Sequence, residues 1–359
     1  MKKLLIVIES MQRGGTQKNV YNLIQRINPK NYKINIVTFN KDKENILSLG
    51  KSVDSHYLKM PDISRNIFQA VYFNIKRTLI LRRFFSKNKP DIILSFIFTT
   101  NILVILSSLF INKRVIVCER NDPKNQKLHF IWLFLRKVLY KKASMVTVNS
   151  LHALSFFSKT VQEKKLKYIP NFTNSIVKSN SKIYVKFFLL AVGRLTYQKG
   201  FDILIKDFLE VRKKYVNLKL IILGSGPELN NLKKIIPKNC KEILFLGDIN
   251  PIPYFKKCEA FILSSRYEGV PNVLIEAMSF SKPIIIYNSS SGMEEYVSDM
   301  NEAIILNQNR SINSLKKAVK YIFENKSKVD LLSKNAKNKI LSFDNKKIFD
   351  RWLEVLSNK

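Results

Sequence analysis

The sequence predicts an α/β protein built from two doubly wound, Rossmann-like domains that face a cleft. Short, continuous apolar runs alternate with helical patterns from end to end, and such runs are typical of strands buried in a parallel sheet. A polar stretch over residues 168–182 interrupts the pattern, which then begins again. A chain of 359 residues is long for one core and sufficient for two domains of about 170 residues each.

The first series of elements predicts an N-terminal Rossmann-like domain over residues 1–172. Helical patterns at 15–27 and 130–143 lie between apolar runs in the way that a βαβ series requires. The predicted strands are KLLIVIE (3–9), INIVTF (34–39), DIILSF (91–96), RVIVCE (114–119) and MVTVNS (145–150).

A second series predicts a C-terminal Rossmann-like domain over residues 173–340, followed by a helix at 341–359 that packs back toward the N-terminal domain. Ligands of such sheets bind beyond the carboxyl ends of the strands, so functional motifs are expected just after each strand. The predicted strands are FFLLAVG (187–193), LKLIILG (218–224), EILFLG (242–247), AFILSS (260–265) and PIIIY (283–287).

The formal net charge is +35, and it is unevenly distributed. Residues 1–170 carry 31 Lys and Arg against 9 Asp and Glu, a net of +22, and the remainder carries +13. A field of this size favours a polyanionic partner, namely nucleic acid, an anionic membrane face or a phosphorylated substrate. Because an A/T-rich genome would also enrich Lys, Asn and Ile, the charge does not choose among these partners.

The cysteines and the N-terminal run favour a reduced, cytosolic compartment. Cys118, Cys240 and Cys258 are widely separated and form no CxxC pair. The first apolar run ends at Glu9, which is too short for a signal peptide. The best candidate for a membrane span, at 97–111, has 15 residues where about 20 are needed, so we expect a buried helix there.

Two cations follow the first strand of the second series, in GRLTYQKGFDILI (193–205). Arg194 and Lys199 project from the loop, and Gly200 permits the turn. Two fixed cations at a strand end can neutralise a diphosphate without a metal ion. In a chain with 62 Lys and Arg, however, the same residues also fit an ordinary solvated loop.

A second motif, RYEGVPNVLIEAM (266–278), places Glu268 on a loop and Glu276 on the helix that follows. Pro271 fits the first position of that helix. A carboxylate can accept two hydrogen bonds from the vicinal hydroxyls of a ribose or hexose, although an exposed and a helix-capping glutamate are the plainer alternative. The backbone amides expected to be free at the helix start are those of Asn272, Val273 and Leu274.

Glycines follow other strands as well. Gly14 and Gly15 precede a helix, where the amides could receive a phosphate, and Gly224 and Gly226 permit a ligand to approach the backbone. The segment 287–297 is a further candidate loop. All three also fit plain turns, and none forms the GxGxxG pattern of a nicotinamide site.

Taken in order, GRLTYQKGFD, GSGPEL, FLGD and SRYEGVPNVLIEAM resemble the family 4 nucleotide-sugar glycosyltransferases of the GT-B fold. The resemblance covers almost the whole chain and is strongest over 187–300. The pair Glu268 and Glu276 resembles the E-x7-E motif of that family. The resemblance implies a retaining hexosyltransferase that uses a nucleotide-diphosphate-sugar donor, expected to be UDP-linked, and requires no metal or other cofactor.

The resemblance also implies residue roles. Arg194, Lys199 and Glu268 would be catalytic, the two cations by binding the diphosphate as it leaves and Glu268 by contacting the transferred sugar. Glu276 would hold the ribose hydroxyls, and the amide of Gly15 would approach the donor phosphate or the acceptor. The other implied donor-binding residues are Gly193, Gly224, Gly226, Gly269, Asn272, Val273 and Leu274.

The sequence departs from the family pattern at three places. Many relatives carry a histidine after the strand equivalent to RVIVCE, whereas here Arg120 takes that place beside Glu119. These two residues are expected to contact the acceptor or its sugar. Ser281 stands where a glycine is usual, and Asn288 stands where an aspartate is frequent.

The N-terminal half suggests where the enzyme works. Residues 65–89 and 130–142, read as helices, are basic and amphipathic, which suits an anionic bilayer; core helices with a solvated basic face fit equally well. With the local charge of +22, they favour a peripheral enzyme on the inner face of the cytoplasmic membrane. Its expected acceptor is an undecaprenyl-diphosphate-linked glycan of capsule, O-antigen or glycoprotein-glycan assembly, as the SFIFTTN and CERNDP runs resemble enzymes of those pathways.

Two other functions remain open. A nucleic-acid-binding protein would explain the charge, but no zinc-finger or RRM pattern is present and the Glu268 and Glu276 motif would be left unexplained, so we expect no nucleic-acid partner. An epimerase acting on a nucleotide-sugar would share the GT-B fold. It would need catalytic acids and a histidine in the cleft, which the sequence does not place.

Overall fold

The computed structural model describes the whole chain except residues 13, 41–48, 50–52, 62–63, 65, 127, 174–182, 288–290, 307–312 and 358–359. Two compact units are present. The N-terminal unit comprises Met1–Phe172 together with Lys346–Lys359, and the C-terminal unit comprises Thr173–Asn345. Most of the linker predicted at 168–182 lies outside the described residues, as does Asn288.

The N-terminal unit holds a parallel sheet of seven strands in the order β3-β2-β1-β4-β5-β6-β7. Strand order therefore reverses between β1 and β4, which is the topology of a doubly wound sheet. The elements are β1 Lys2–Val7, α1 Gly15–Ile24, β2 Tyr32–Thr38, β3 Val53–Tyr57, α2 Ile67–Asn88, β4 Ile92–Phe96, α3 Phe98–Ser108, β5 Arg114–Glu119, α4 Phe130–Leu139, β6 Met145–Val148, α5 Leu151–Ser158 and β7 Leu166–Tyr168.

The C-terminal unit holds a parallel sheet of six strands in the order β10-β9-β8-β11-β12-β13, which reverses between β8 and β11. The prediction of two doubly wound domains is confirmed. The elements are β8 Phe188–Val192, α6 Phe201–Arg212, β9 Lys219–Leu223, α7 Leu229–Ile235, β10 Ile243–Phe245, α8 Ile252–Lys257, β11 Ala260–Leu263, α9 Asn272–Ser279, β12 Ile284–Tyr287, β13 Ile304–Leu306, α10 Ser314–Glu324 and α11 Lys326–Leu341.

The central strands are continuously apolar because helices cover both faces of the sheet. Along β8, Leu189 and Ala191 belong to one core cluster, whereas Phe188 and Leu190 belong to another. Successive side chains of a strand point to opposite faces, so both faces of β8 are buried. This is the packing that the continuous apolar runs predict.

Two expectations about the N-terminal unit can be compared with the structure. Helix α3 is buried over nine of its eleven residues, as expected for the apolar run at 97–111. Strand β3 has no counterpart among the predicted strands, because Asp54, Ser55 and His56 occupy the middle of this edge strand. None of the helices in the described part of the chain combines the length and hydropathy needed to cross a bilayer.

The last helix, α12, spans Asn345–Ser357 and packs within the N-terminal unit from residue 346 onward. Trp352 is buried there, with the guanidinium of Arg120 lying 5.1 Å from its ring centroid. The Arg114 guanidinium also donates to the carbonyl of Val355 at 2.8 Å. The helix begins later than residue 341 because α11 continues through Leu341.

Ser281 ends helix α9 in a conformation that favours glycine. Its φ is +51°, just beyond the helix C-cap residue Phe280, and its amide donates to Met278. A residue with a Cβ is destabilised by about 1–2 kcal/mol in the left-handed region. Replacing it by glycine removes this strain, but part of the gain is lost because glycine has more conformational freedom in the unfolded chain. We therefore expect Ser281→Gly to raise the free energy of unfolding by about 0.5–1 kcal/mol in urea titrations. An unchanged or lower value would show that the Ser281 hydroxyl makes a compensating contact.

Candidate active site

The predicted donor-site residues of the C-terminal unit gather at the carboxyl edge of its sheet. Strands β8 and β11 are paired at the point where strand order reverses. Their following loops, 193–200 and 264–271, therefore meet beyond the same edge, which is where ligands of doubly wound sheets bind. The predicted residues carried by these loops and by the loop after the neighbouring β9 are Gly193, Arg194, Lys199, Gly224, Gly226, Glu268 and Gly269.

Lys199 and Glu268 form an ion pair, although 69 positions separate them in the chain. The ammonium of Lys199 donates to Oε1 of Glu268, and the hydroxyl of Ser265 donates to the same oxygen at 2.7 Å. The side chains of Lys199 and Glu268 are only 18% and 9% exposed. The expected phosphate-binding cation therefore lies directly against the expected sugar-binding carboxylate, and a contact between them was not foreseen.

Backbone and side-chain hydrogen bonds tie the two loops together around this pair. The amide of Arg266 donates to the carbonyl of Gln198 at 2.7 Å, and the Gln198 side chain donates to the carbonyl of Tyr267 at 2.9 Å. The hydroxyl of Ser264 donates to the carbonyl of Lys199 at 2.9 Å. Lys199 is thus fixed through its backbone as well as through its ammonium group.

Glycine is required where these loops approach each other most closely. Gly200 has φ +65°, and a Cβ there would collide with the carbonyl of Ser264. Gly224 has φ +135°, and a Cβ there would collide with the carbonyl of Gly193. The predicted glycines after β8 and β9 therefore let one loop pack on the next, a structural role beside the one expected at a ligand.

The start of α9 differs from its prediction in one respect. Pro271 is the N-cap residue, with ψ 122°, so the helix begins at Asn272. Leu274 donates its amide to the carbonyl of Pro271 at 3.0 Å, which makes the expectation of a free amide at Leu274 wrong. Asn272 and Val273 are the first two residues of the helix. Glu276 lies one turn further along and is 8% exposed.

Three functional neighbours were absent from the sequence-based prediction. The guanidinium of Arg266 binds the carboxylate of Asp202 through two hydrogen bonds of 2.8 and 2.6 Å, and Ser265 binds Glu268. The hydrogen bonds from Arg266 lower the pKa of Asp202, so the Asp202 carboxylate is ionised through the neutral range. The only local signal was position, since Ser265 and Arg266 directly follow a strand and Asp202 opens a helix.

Gly15 and the two acceptor-side candidates lie in the N-terminal unit. Gly15 is the exposed first residue of α1, just after β1. Arg120 donates to the carbonyl of Ile169 at 3.0 Å while stacking on Trp352, so it supports the end of the sheet. A contact between Arg120 and the acceptor stays a prediction.

Glu119 is a buried core residue, and its contact with the acceptor sugar stays a prediction. It is 0% exposed, and the hydroxyl of Tyr140 donates to its Oε2 at 3.0 Å. Asn101 donates to the Tyr140 oxygen and accepts from Ser95, which completes a buried chain of polar groups. Burial raises the pKa of Glu119 and, together with the nearby Glu119 charge, raises that of Tyr140.

Comparisons with known proteins agree with this architecture. Residues 174–339 match the family model for glycosyl transferases group 1, and residues 13–175 match the model for glycosyltransferase family 4. Each model covers a little less than half of the chain, and together they extend over residues 13–339.

Two similar proteins come from Campylobacter jejuni. One is named GalNAc-alpha-(1->4)-GalNAc-alpha-(1->3)-diNAcBac-PP-undecaprenol alpha-1,4-N-acetyl-D-galactosaminyltransferase, and it is 23% identical over 363 residues, or 99% of each chain. The other, named N-acetylgalactosamine-N,N'-diacetylbacillosaminyl-diphospho-undecaprenol 4-alpha-N-acetylgalactosaminyltransferase, is 27% identical over 99% of this chain and 100% of its own.

The crystal structure of Anabaena HepE in complex with UDP and glucose superposes with a TM-score of 0.81 and 18% identity over the whole of both chains. At this identity the likeness concerns the fold. The two family models show that the chain belongs to glycosyltransferase family 4, and the structural match shows that it has the two-domain GT-B fold.

Proposed function

We propose that this glycosyltransferase moves a sugar, with retention of anomeric configuration, from a UDP-sugar to an undecaprenyl-diphosphate-linked glycan. The observation that carries the proposal is the Lys199 and Glu268 pair at the strand ends where β8 and β11 meet. The names of the two Campylobacter relatives specify undecaprenol-diphosphate glycans, and HepE was crystallised with UDP and glucose. The resulting glycan belongs to a capsule, an O-antigen or a related surface polysaccharide.

In the proposed donor complex, the C-terminal unit supplies both charge and hydroxyl acceptors. An ammonium group has three donors, so Lys199 can keep its bond to Glu268 and still donate to the diphosphate. Arg194, exposed on the same loop, provides the second cation. Glu276 accepts from the ribose hydroxyls, and Glu268 accepts from the transferred sugar.

The proposed transfer depends mainly on stabilising the charge that develops on the leaving UDP. The acceptor oxygen forms a bond to the anomeric carbon as the bond from that carbon to the diphosphate breaks, and the acceptor proton passes to a donor phosphate oxygen. Lys199 and Arg194 face the phosphate charge that grows in this step, which is the kind of stabilisation that accelerates transfer. Two cations at the diphosphate make a metal ion unnecessary in this proposal.

The UDP part of the proposal is tested by thermal unfolding with a panel of nucleotide-sugars that differ in base and in sugar. A donor at 100 times its Kd adds about 2.7 kcal/mol to the free energy of unfolding. UDP-sugars should stabilise the protein, whereas GDP- and ADP-sugars should not. Stabilisation by GDP- or ADP-sugars alone would contradict the assignment of the base.

We further propose that the N-terminal unit docks on the anionic inner face of the cytoplasmic membrane. Helix α4 exposes Phe130 and Phe134 by 71% and 65%, and α2 exposes Phe68 and Tyr72 by 84% and 60%. These apolar residues face solvent, whereas Leu81 and Phe85 of α2 and Leu139 of α4 are buried, so each helix packs one face on the core and exposes apolar residues elsewhere. Apolar side chains on basic helices are what an interfacial contact with anionic lipid requires.

Replacing Phe130 and Phe134 together by serine is expected to weaken binding to phosphatidylglycerol vesicles about tenfold or more. Full burial of one phenylalanine contributes about 1.5–3 kcal/mol, and both side chains are largely exposed in the free protein. Vesicle sedimentation measures the effect. The matched control is Leu331→Ser with Leu341→Ser, two similarly exposed residues of α11 in the C-terminal unit, which should bind as the wild type does. Equal loss in both double variants would contradict a specific docking face.

A further inference from the structure

Arg266 and Asp202 form a bidentate ion pair beside the proposed donor site. Both guanidinium Nη atoms bind separate carboxylate oxygens, at 2.8 and 2.6 Å. The side chains are 19% and 35% exposed, so the pair is partly shielded from water. Bidentate Arg–carboxylate pairs combine strength with a fixed geometry that a lysine cannot reproduce.

Arg266 also holds the short turn that leads into Lys199. Its Nη1 donates to the carbonyl of Tyr197 at 2.6 Å, and its guanidinium lies 4.0 Å from the Tyr197 ring centroid. Its own amide donates to the next carbonyl, that of Gln198, at 2.7 Å. The side chain and the backbone amide of Arg266 therefore fix the two residues that immediately precede Lys199.

The Arg266 and Asp202 pair lies close in sequence to both members of the Lys199 and Glu268 ion pair. Asp202 lies three positions after Lys199, in the first turn of α6, and Arg266 lies two positions before Glu268 on the other loop. The Arg266 and Asp202 bond thus joins the β8 loop to the β11 loop on the side where Lys199 meets Glu268.

A second ion pair is made by helix α6 away from the active-site loops. Arg212, the last residue of α6, lies 3.3 Å from Glu242, and both side chains are 24% exposed. Partly exposed pairs of this kind contribute about 0–1 kcal/mol to stability. Arg212 has no hydrogen bond to the active-site loops among the described contacts, so it provides a matched control.

We propose that Arg266 and Asp202 are positioning residues, which hold the Lys199 ammonium and the Glu268 carboxylate where the donor diphosphate and sugar bind. The inference rests on the proposed donor site. It adds that the geometry of that site depends on a second ion pair that does not itself contact the donor.

The test measures the Kd for UDP by calorimetry in the full-length protein. Asp202→Asn and Arg266→Lys should each weaken UDP binding about tenfold, because each breaks the bidentate bond that positions Lys199 and Glu268, although the Lys199 ammonium itself is retained. The double variant should be no weaker than the weaker single variant, since the two residues act as one unit. Asp202→Glu, which keeps the carboxylate, should recover affinity to within about twofold of wild type.

The controls separate positioning from stability. Arg212→Lys and Glu242→Gln break an ion pair made by the same helix, so they should lower the melting temperature slightly yet leave UDP affinity unchanged. If Arg266→Lys and Asp202→Asn bind UDP as the wild type does while Lys199→Ala binds it weakly, the positioning role is wrong and the donor site stands. If Lys199→Ala also binds UDP normally, the donor site and the positioning role both fail.

Discussion

Replacing Lys199 with alanine is expected to lower kcat/KM for sugar transfer about 100- to 1,000-fold. Loss of a fixed donor that faces charge developing in a transition state has effects of this size. Most of the change should appear in kcat, because phosphate charge grows as the donor bond breaks. The measurement is the initial rate of UDP release with a lipid-linked acceptor. Lys206→Ala, which removes an exposed lysine from α6, is the matched control and should retain full activity.

Lys199→Ala would also leave the nearly buried Glu268 without its cation. The effect of the substitution on activity must therefore be distinguished from its effect on stability. We expect Lys199→Ala to lose about 1–3 kcal/mol of unfolding free energy. Adding Glu268→Gln should restore much of that stability, because the uncompensated charge is removed, while activity stays low. A double variant with wild-type activity would contradict a catalytic role for Lys199.

Replacing Glu276 with alanine is expected to weaken UDP-sugar binding about 30-fold, mostly through KM. A carboxylate that accepts hydrogen bonds from two ribose hydroxyls contributes about 2 kcal/mol, since bonds to charged groups are the stronger kind. Glu276→Gln keeps the shape and an acceptor oxygen, so it should lose only part of the affinity.

Calorimetric titration with UDP-sugar measures the Glu276 effect, and Glu210→Ala on α6 serves as the surface control. Because ribose is bound in both the ground state and the transition state, kcat should change less than tenfold. A variant with normal KM and greatly reduced kcat would place Glu276 at the reacting sugar instead.

The sequence was sufficient to predict most of this fold, for a definite physical reason. Strands such as β4 and β8 are buried on both sides and are therefore continuously apolar, which leaves a clear local pattern. Edge strand β3 is covered less, and its polar residues leave no such pattern. Ser281 has a positive φ, which explains why relatives usually have a glycine at this position.

The sequence placed the candidate donor residues on loops at strand ends, but the contacts among them could not be predicted. Lys199 and Glu268 meet because β8 lies beside β11 in the sheet, and strand order is a long-range property that no local pattern records. The burial of Glu119 was not predicted for a related reason. Glu119 is the last residue of strand β5, at the edge where site residues are expected, yet it is buried and accepts a hydrogen bond from Tyr140, 21 positions later.

Mass spectrometry of the lipid product tests the central claim most directly. The purified protein would be incubated with the UDP-sugar that stabilises it most and with an undecaprenyl-diphosphate-linked oligosaccharide. The proposed function predicts that the lipid-linked glycan gains the mass of one sugar residue for each UDP released. UDP-sugar converted to another UDP-sugar, or consumed with no gain in glycan mass, would contradict it.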